Sequence, residues 1–117
     1  MKANVNKVEL VGFAGQDAES KDIKNNMKIG FFSLATSESY RTKTGEWASN
    51  TSWHRIVLWN ENATKATEEV RKGSRVSLTG KLNYRTYETK SGEKRTIAEV
   101  IATSFEVLPR TVSENAS

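Results

Sequence analysis

Thr51-Ser52-Trp53-His54-Arg55-Ile56-Val57-Leu58-Trp59 alternates without a break. Trp53, Arg55, Val57 and Trp59 fall on one face and Ser52, His54, Ile56 and Leu58 on the other, the period of two expected of an extended strand with unlike faces. The face with Ile56 and Leu58 reads as core. The opposite face sets an arginine between two indoles, an odd composition for a core. It suits a surface on which flat bases stack beside a phosphate, because indole rings offer π faces and a guanidinium offers charge. The stretch therefore predicts a strand with one buried face and one binding face.

The neighbouring sequence supplies the rest of the layout. Downstream, Asn62 can cap a short helix over Ala63–Lys72, with Ala63, Ala66 and Val70 as its apolar stripe. The basic pair Arg71-Lys72 closes that helix and Gly73 stops it. Upstream, Ser37–Asn50 is a polar connection with a hairpin tip at Lys43-Thr44-Gly45-Glu46. It is preceded by a strand over Lys28–Thr36, in which Gly30 marks curvature. Asp17–Asn26 reads as a polar turn, and Val5–Phe13 as a first strand that bends at Gly12 and Gly15. After the helix, Ser74–Thr89 forms a fourth strand, which turns at Lys90-Ser91-Gly92-Glu93 into a fifth over Lys94–Leu108. The pattern predicts an all-β fold: a five-stranded OB-fold Greek-key barrel with one short helix between strands 3 and 4. An SH3-like barrel fits less well, since the helix follows three strands and the flanking loops are long.

The 117 residues fit one domain, expected over 1–110, with 111–117 as a short polar tail. There is no cysteine, so disulfides and thiolate metal sites are excluded and a reducing compartment is suited. Residues 1–7 enter a strand pattern directly and no apolar run approaches the length of a membrane span; the expectation is a cytoplasmic protein without a membrane partner. The charge is uneven. Residues 71–95 carry eight basic side chains against Glu88 and Glu93, within a net charge of only +4. A clustered basic stripe is what a polyanion selects, although a solvated hairpin has the same composition.

Aromatic and basic residues are adjacent elsewhere too. Tyr40 precedes Arg41, and Tyr84 and Tyr87 flank Arg85. Phe32 and Phe105 sit in apolar runs and read as core, while Phe13 and Phe31 are open to either reading. No catalytic set is apparent. The only histidine, His54, lies on the face of Ile56 and Leu58, and there is no carboxylate pair, phosphate-binding glycine loop or metal-spaced cluster. A non-enzymatic protein without cofactor or metal is expected.

Four blocks carry a family resemblance: Asn6-Lys7-Val8-Glu9-Leu10-Val11-Gly12, Phe32-Ser33-Leu34-Ala35-Thr36-Ser37-Glu38-Ser39, Thr51 to Leu58, and Arg71-Lys72-Gly73-Ser74-Arg75-Val76. In type and order they closely resemble the bacterial single-stranded DNA-binding proteins. The resemblance implies an OB-fold, assembled as a homotetramer, that binds single-stranded DNA without strong sequence preference in replication, recombination and repair. It further implies a place at the nucleoid. Carried over by position, it implies base stacking on Tyr40, Trp53, Trp59 and Tyr87. Arg41, Arg55, Lys72 and Arg85 are then the phosphate contacts. Members of that family continue into a flexible tail with an acidic tip that recruits other proteins. Residues 111–117 offer no such tip, so tail-mediated recruitment is not expected.

Two expectations follow, with rival readings beside them. The first strand offers Val5, Val11 and Phe13 opposite Val8 and Leu10, an apolar face that predicts self-association. Trp53 and Trp59 should be removable without unfolding the chain, whereas Leu58 should not. An RNA-binding OB-fold, a tail-less replication-restart protein and a pure protein-interaction barrel remain as alternatives, separable by comparing oligo-dT, RNA and duplex.

Overall fold

The computed structural model describes residues 4–109, so the segment 111–117 lies outside the described residues. The elements are β1 (Val8–Ala14), β2 (Glu19–Ile23), β3 (Met27–Arg41), β4 (Trp47–Trp59), α1 (Glu61–Glu69), β5 (Arg75–Glu88) and β6 (Lys94–Leu108). The strands order as β1-β5-β6-β4-β3-β2, and β1 also pairs with β3 through Phe13↔Ala35 and Ala14↔Leu34. Five strands thus close on themselves. The β4–β6 contact is parallel, at Ile56↔Val100 and Val57↔Ile101, and the other pairings are antiparallel. This is the expected Greek-key barrel of the OB-fold, with its helix between the third and fourth barrel strands.

Closure depends on where side chains are missing. β1 passes from β5 to β3 at Phe13, which pairs with both, and at the preceding Gly12 any Cβ would run into the Ala35 carbonyl. The expected bend is therefore also a site of close backbone approach. At Gly30 a Cβ would meet Ala63 at 2.9 Å, so glycine there lets the helix settle on β3. Ala63, Ala66 and Val70 are fully buried on that side and join Phe32, Leu34, Ile56, Leu58, Val76 and Phe105 in one core. Ile56 and Leu58 are buried as their alternation predicts. The first strand is extended by a side chain: Asn6 Nδ2 donates to the Leu82 carbonyl (2.8 Å), and the Leu82 N–H donates to Asn6 Oδ1 (2.9 Å). Asn6 thus substitutes for a rung of the β1–β5 ladder.

Three local expectations are corrected. The presumed turn Asp17–Asn26 contains the edge strand β2, paired with β3 from Glu19↔Phe31 to Ile23↔Met27. Its composition is polar because it is almost wholly exposed, so no alternation betrays it. The visible signal is Asn25-Asn26, both at positive φ, where asparagine is tolerated. The polar connection Ser37–Asn50 is mostly strand, since β3 and β4 continue beyond the barrel as a paired arm up to Arg41↔Trp47. The helix begins and ends earlier than expected. Asn60 occupies the N-cap position without a side-chain cap, and its Oδ1 accepts instead from the Lys28 N–H at 3.1 Å. Asn62 reaches away to the Thr103 carbonyl (3.2 Å). Arg71 and Lys72 belong to the following turn, with Gly73 at φ 88°, although Arg71 still donates to the Thr67 carbonyl near the helix end at 2.8 Å.

Candidate nucleic-acid interface

Residues opposite one another on paired strands share a face, so the register lays out the outer surface of the barrel as rows. One row is Lys21, Ile29 and Trp59, across β2, β3 and β4. The next is Glu19, Phe31 and Val57, which the parallel contact extends to Ile101 and then Lys81. Ser33 and Arg55 follow, then Ala35 and Trp53. Two hollows share Phe31 and Arg55: one reaches Trp53 and Gln16, and the other reaches Trp59, Lys21 and Arg85. Together they form one groove between the two tryptophans.

Each end of the groove is set by a different neighbour. Trp53 is 63% exposed, and its ring lies over Gly15, where a Cβ would stand only 2.6 Å from Cζ3. Glycine there provides the seat for the indole. Trp59 is half-buried beside Ile29. Between them lies Glu99, 5% exposed. Its Oε2 is 3.6 Å from Arg55 Nε and 3.5 Å from Arg85 Nε, while Asn83 Nδ2 donates to Oε1 at 3.3 Å. The first distance is an ion pair rather than a hydrogen bond, and the second is a long contact. One buried carboxylate thus gathers two half-exposed guanidiniums from β4 and β5 on the groove floor.

The comparisons with known proteins agree with this geometry. The model of the single-strand binding protein family matches residues 5–108. The chain belongs to that family. It is 33% identical, over 109 residues, to single-stranded DNA-binding protein 1 of Chlorobaculum tepidum, covering 92% of this chain and 67% of that protein. The solved structure of the Plasmodium falciparum SSB in complex with single-stranded DNA superposes with a TM-score of 0.81 at 32% identity, covering 93% of this chain and 99% of that one.

Against this family background, the expected site residues divide. Trp53, Arg55, Trp59 and Arg85 come together in the groove. Tyr87 continues the face of Asn83 and Arg85 along β5, with Arg95 opposite it on β6. Arg41 lies on the β3–β4 arm on the same face as Trp53, but Tyr40, paired with Ala48, alternates to the other face. Lys72 stands outside the groove strands, in the turn after α1, where its N–H donates to Asp17 Oδ1 at 2.8 Å. His54 is engaged by Thr36, with Nε2 2.8 Å from Oγ1. Phe31, left open by the sequence, lines the groove, whereas Phe13 is exposed on β1.

Several residues of this surface escape sequence reasoning. Glu99 sits in the run Ile97-Ala98-Glu99-Val100-Ile101, where one carboxylate among apolar residues was the available signal. Lys21 was hidden with β2. Trp47, two residues beyond a glycine in an apparent loop, is 70% exposed and lies on the groove face of the arm opposite Arg41.

Proposed function

We propose that this protein binds single-stranded DNA with little regard to sequence, protecting and organising it during replication, recombination and repair. The observation that carries this reading is the row of Trp53, Arg55 and Trp59 along an open groove whose walls add Phe31, Lys21 and Arg85. Stacking on aromatic rings is worth about 1–3 kcal/mol per base and tolerates every base, because each has a π face. Membership of the single-strand binding protein family and likeness to a structure solved with single-stranded DNA support the same reading.

In this mechanism unpaired bases stack on Trp53 and Trp59, and on Tyr87 as the strand leaves the groove, while Tyr40, on the other face of the β3–β4 arm, takes a base from a strand that wraps round the arm. Phosphates face Arg55 and Arg85, and outside the groove Arg41 and Lys72. Glu99 offsets one of the two groove charges. The logarithm of affinity should fall with the logarithm of salt by roughly 0.7 per neutralised phosphate, and the Arg55, Arg85, Glu99 trio should count for about one phosphate rather than two. A single binding domain over 1–110, working at the nucleoid in the cytoplasm, fits this role, and no step calls for catalysis or a cofactor. The exposed Val11 and Phe13 of β1 support self-association, and we take the unit to be a homotetramer. Light scattering of a monomer at micromolar concentration would sink that assignment.

The deciding test titrates the protein with oligo-dT, matched RNA and duplex while following tryptophan emission. Quenching by oligo-dT with weaker binding to duplex is the expected result. Unchanged emission and no binding to any nucleic acid would leave a protein-interaction barrel.

A further inference from the structure

The binding face extends beyond the barrel. Strands β3 and β4 keep a continuous register from Ile29↔Trp59 to Arg41↔Trp47. Trp47, Trp53 and Trp59 therefore recur at six-residue intervals on one face of one strand. At about 3.3–3.4 Å per residue, Trp47 lies about 20 Å beyond Trp53 along the arm. It is 70% exposed, the most exposed aromatic among the described residues. Opposite it, the Arg41 guanidinium lies 5.6 Å from the ring centroid, within cation–π range. Arg41 Nε also donates to the Gly45 carbonyl at 3.3 Å, which ties the side chain to the hairpin tip. One face of the indole is thus backed by a tethered cation.

We propose that Trp47, backed by Arg41, is a further stacking platform for an unpaired base, engaged by strands long enough to run off the barrel along the arm. The proposal rests on the single-stranded DNA-binding reading above and commits to DNA as the occupant, because the arm face is continuous in register with the groove face. Stacking on the open side of the indole leaves Arg41 close to the adjoining phosphate. The β5–β6 arm offers a parallel arrangement, with Tyr87 opposite Arg95 on the same groove face.

The test uses the full chain and its variants W47A, W47F and W47L, titrated with a short oligo-dT that the groove alone accommodates and with a long one. Melting curves and solution mass are measured beside each titration. W47A should weaken binding of the long oligomer about 5- to 150-fold, equivalent to one lost stack of about 1–3 kcal/mol, and should barely change the short one. W47F should retain most of the affinity, whereas W47L, apolar but without a ring, should behave like W47A. Wild-type binding undiminished in W47A, or fully restored in W47L, overturns the proposal. So does a loss of affinity that merely follows a change in solution mass, which would make Trp47 a contact between copies. A wild type that binds no oligo-dT at all would instead bring down the broader reading, and this one with it.

Discussion

From His54 to Trp59, β4 is barrel wall, with Ile56 and Leu58 fully buried on one side and Arg55 and Trp59 facing the groove on the other. From Trp47 to Thr51 the same strand is one rail of an arm, nearly all of it exposed and paired only with β3. The backbone is alike in both regions, so the difference lies in what the side chains meet. In the wall, hydrophobic burial fixes which residues point inward, and the alternation is written in the sequence. In the arm, no core imposes a pattern, and the ladder and the tip must hold the strands together. A residue there is free to be chosen for what it binds.

The largest expected effect tests the wall. Leu58→Ala removes a fully buried side chain from the core and should cost about 2–5 kcal/mol, by lost transfer energy and the cavity left behind. Because the arms grow from the barrel, they should melt with it in one transition. A Leu58→Ala protein that melts like the wild type would mean that the core does not organise the barrel.

Next come the two ends of the groove. Trp53→Ala should stay folded and lose about 1–3 kcal/mol of oligo-dT affinity. Gly15→Ala should mimic it in part, since a methyl group would displace the Trp53 ring from its seat. Trp59→Ala should lower both affinity and melting temperature, because the half-buried indole also covers Ile29. The sequence alone led to the same expectation for both tryptophans, and the structure separates them. Paired titrations and thermal melts decide it: undiminished binding by a folded Trp53→Ala contradicts the assignment, and an unaffected melt for Trp59→Ala removes the distinction.

Glu99 gives a smaller effect, within the wall alone. Glu99→Ala strips the Asn83 amide and two guanidiniums of their shared partner. An orphaned buried polar group costs about 1–3 kcal/mol. Both arginines are about half exposed and can turn to solvent, so the low end applies. Removing the negative charge should also steepen the salt dependence of DNA binding. A variant with unaltered stability and salt slope would show that the carboxylate neither holds nor offsets the arginines.

The legible parts of this molecule are those under hydrophobic constraint. The five barrel strands, the helix stripe Ala63, Ala66 and Val70, and the opposed faces of β4 all follow from burial and could be read. β2 could not, because an exposed edge strand of the type Glu19-Ser20-Lys21-Asp22-Ile23 buries almost nothing and forms by pairing with β3. The helix starts before the position that Asn62 suggests, and its N-cap is hard to read, because Asn60, at φ 54°, uses its side chain to hold β3 rather than to cap. In the site, the indoles of Trp53 and Trp59 were visible through alternation. Glu99 and Trp47 were not, since one is a charge inside an apolar run and the other stands in what composition alone presents as a loop.

The smallest expected effect on the barrel comes from changes confined to the arms. Their tips, Thr42-Lys43-Thr44-Gly45-Glu46 and Thr89-Lys90-Ser91-Gly92-Glu93, are nearly the same sequence and close the same way. The Thr42 N–H donates to the Glu46 carbonyl and the Thr89 N–H to that of Glu93, both at 2.8 Å, while Gly45 and Gly92 each donate back to their threonine at 3.0 Å. Gly45 and Gly92 have φ of 87° and 88°, the left-handed position of a three-residue hairpin loop. A Cβ in that conformation costs about 1–2 kcal/mol, so Gly45→Ala and Gly92→Ala should weaken their own arms by similar amounts. If each arm opens locally, the penalty falls on that arm and the barrel is untouched. Amide hydrogen exchange should then show faster exchange around residues 38–50 in one variant and 86–96 in the other, with protection at Ile56, Leu58 and Val100 unchanged. Equal loss of protection in arm and barrel would mean that both belong to one cooperative unit, and the contrast between wall and arm would fail as an energetic statement.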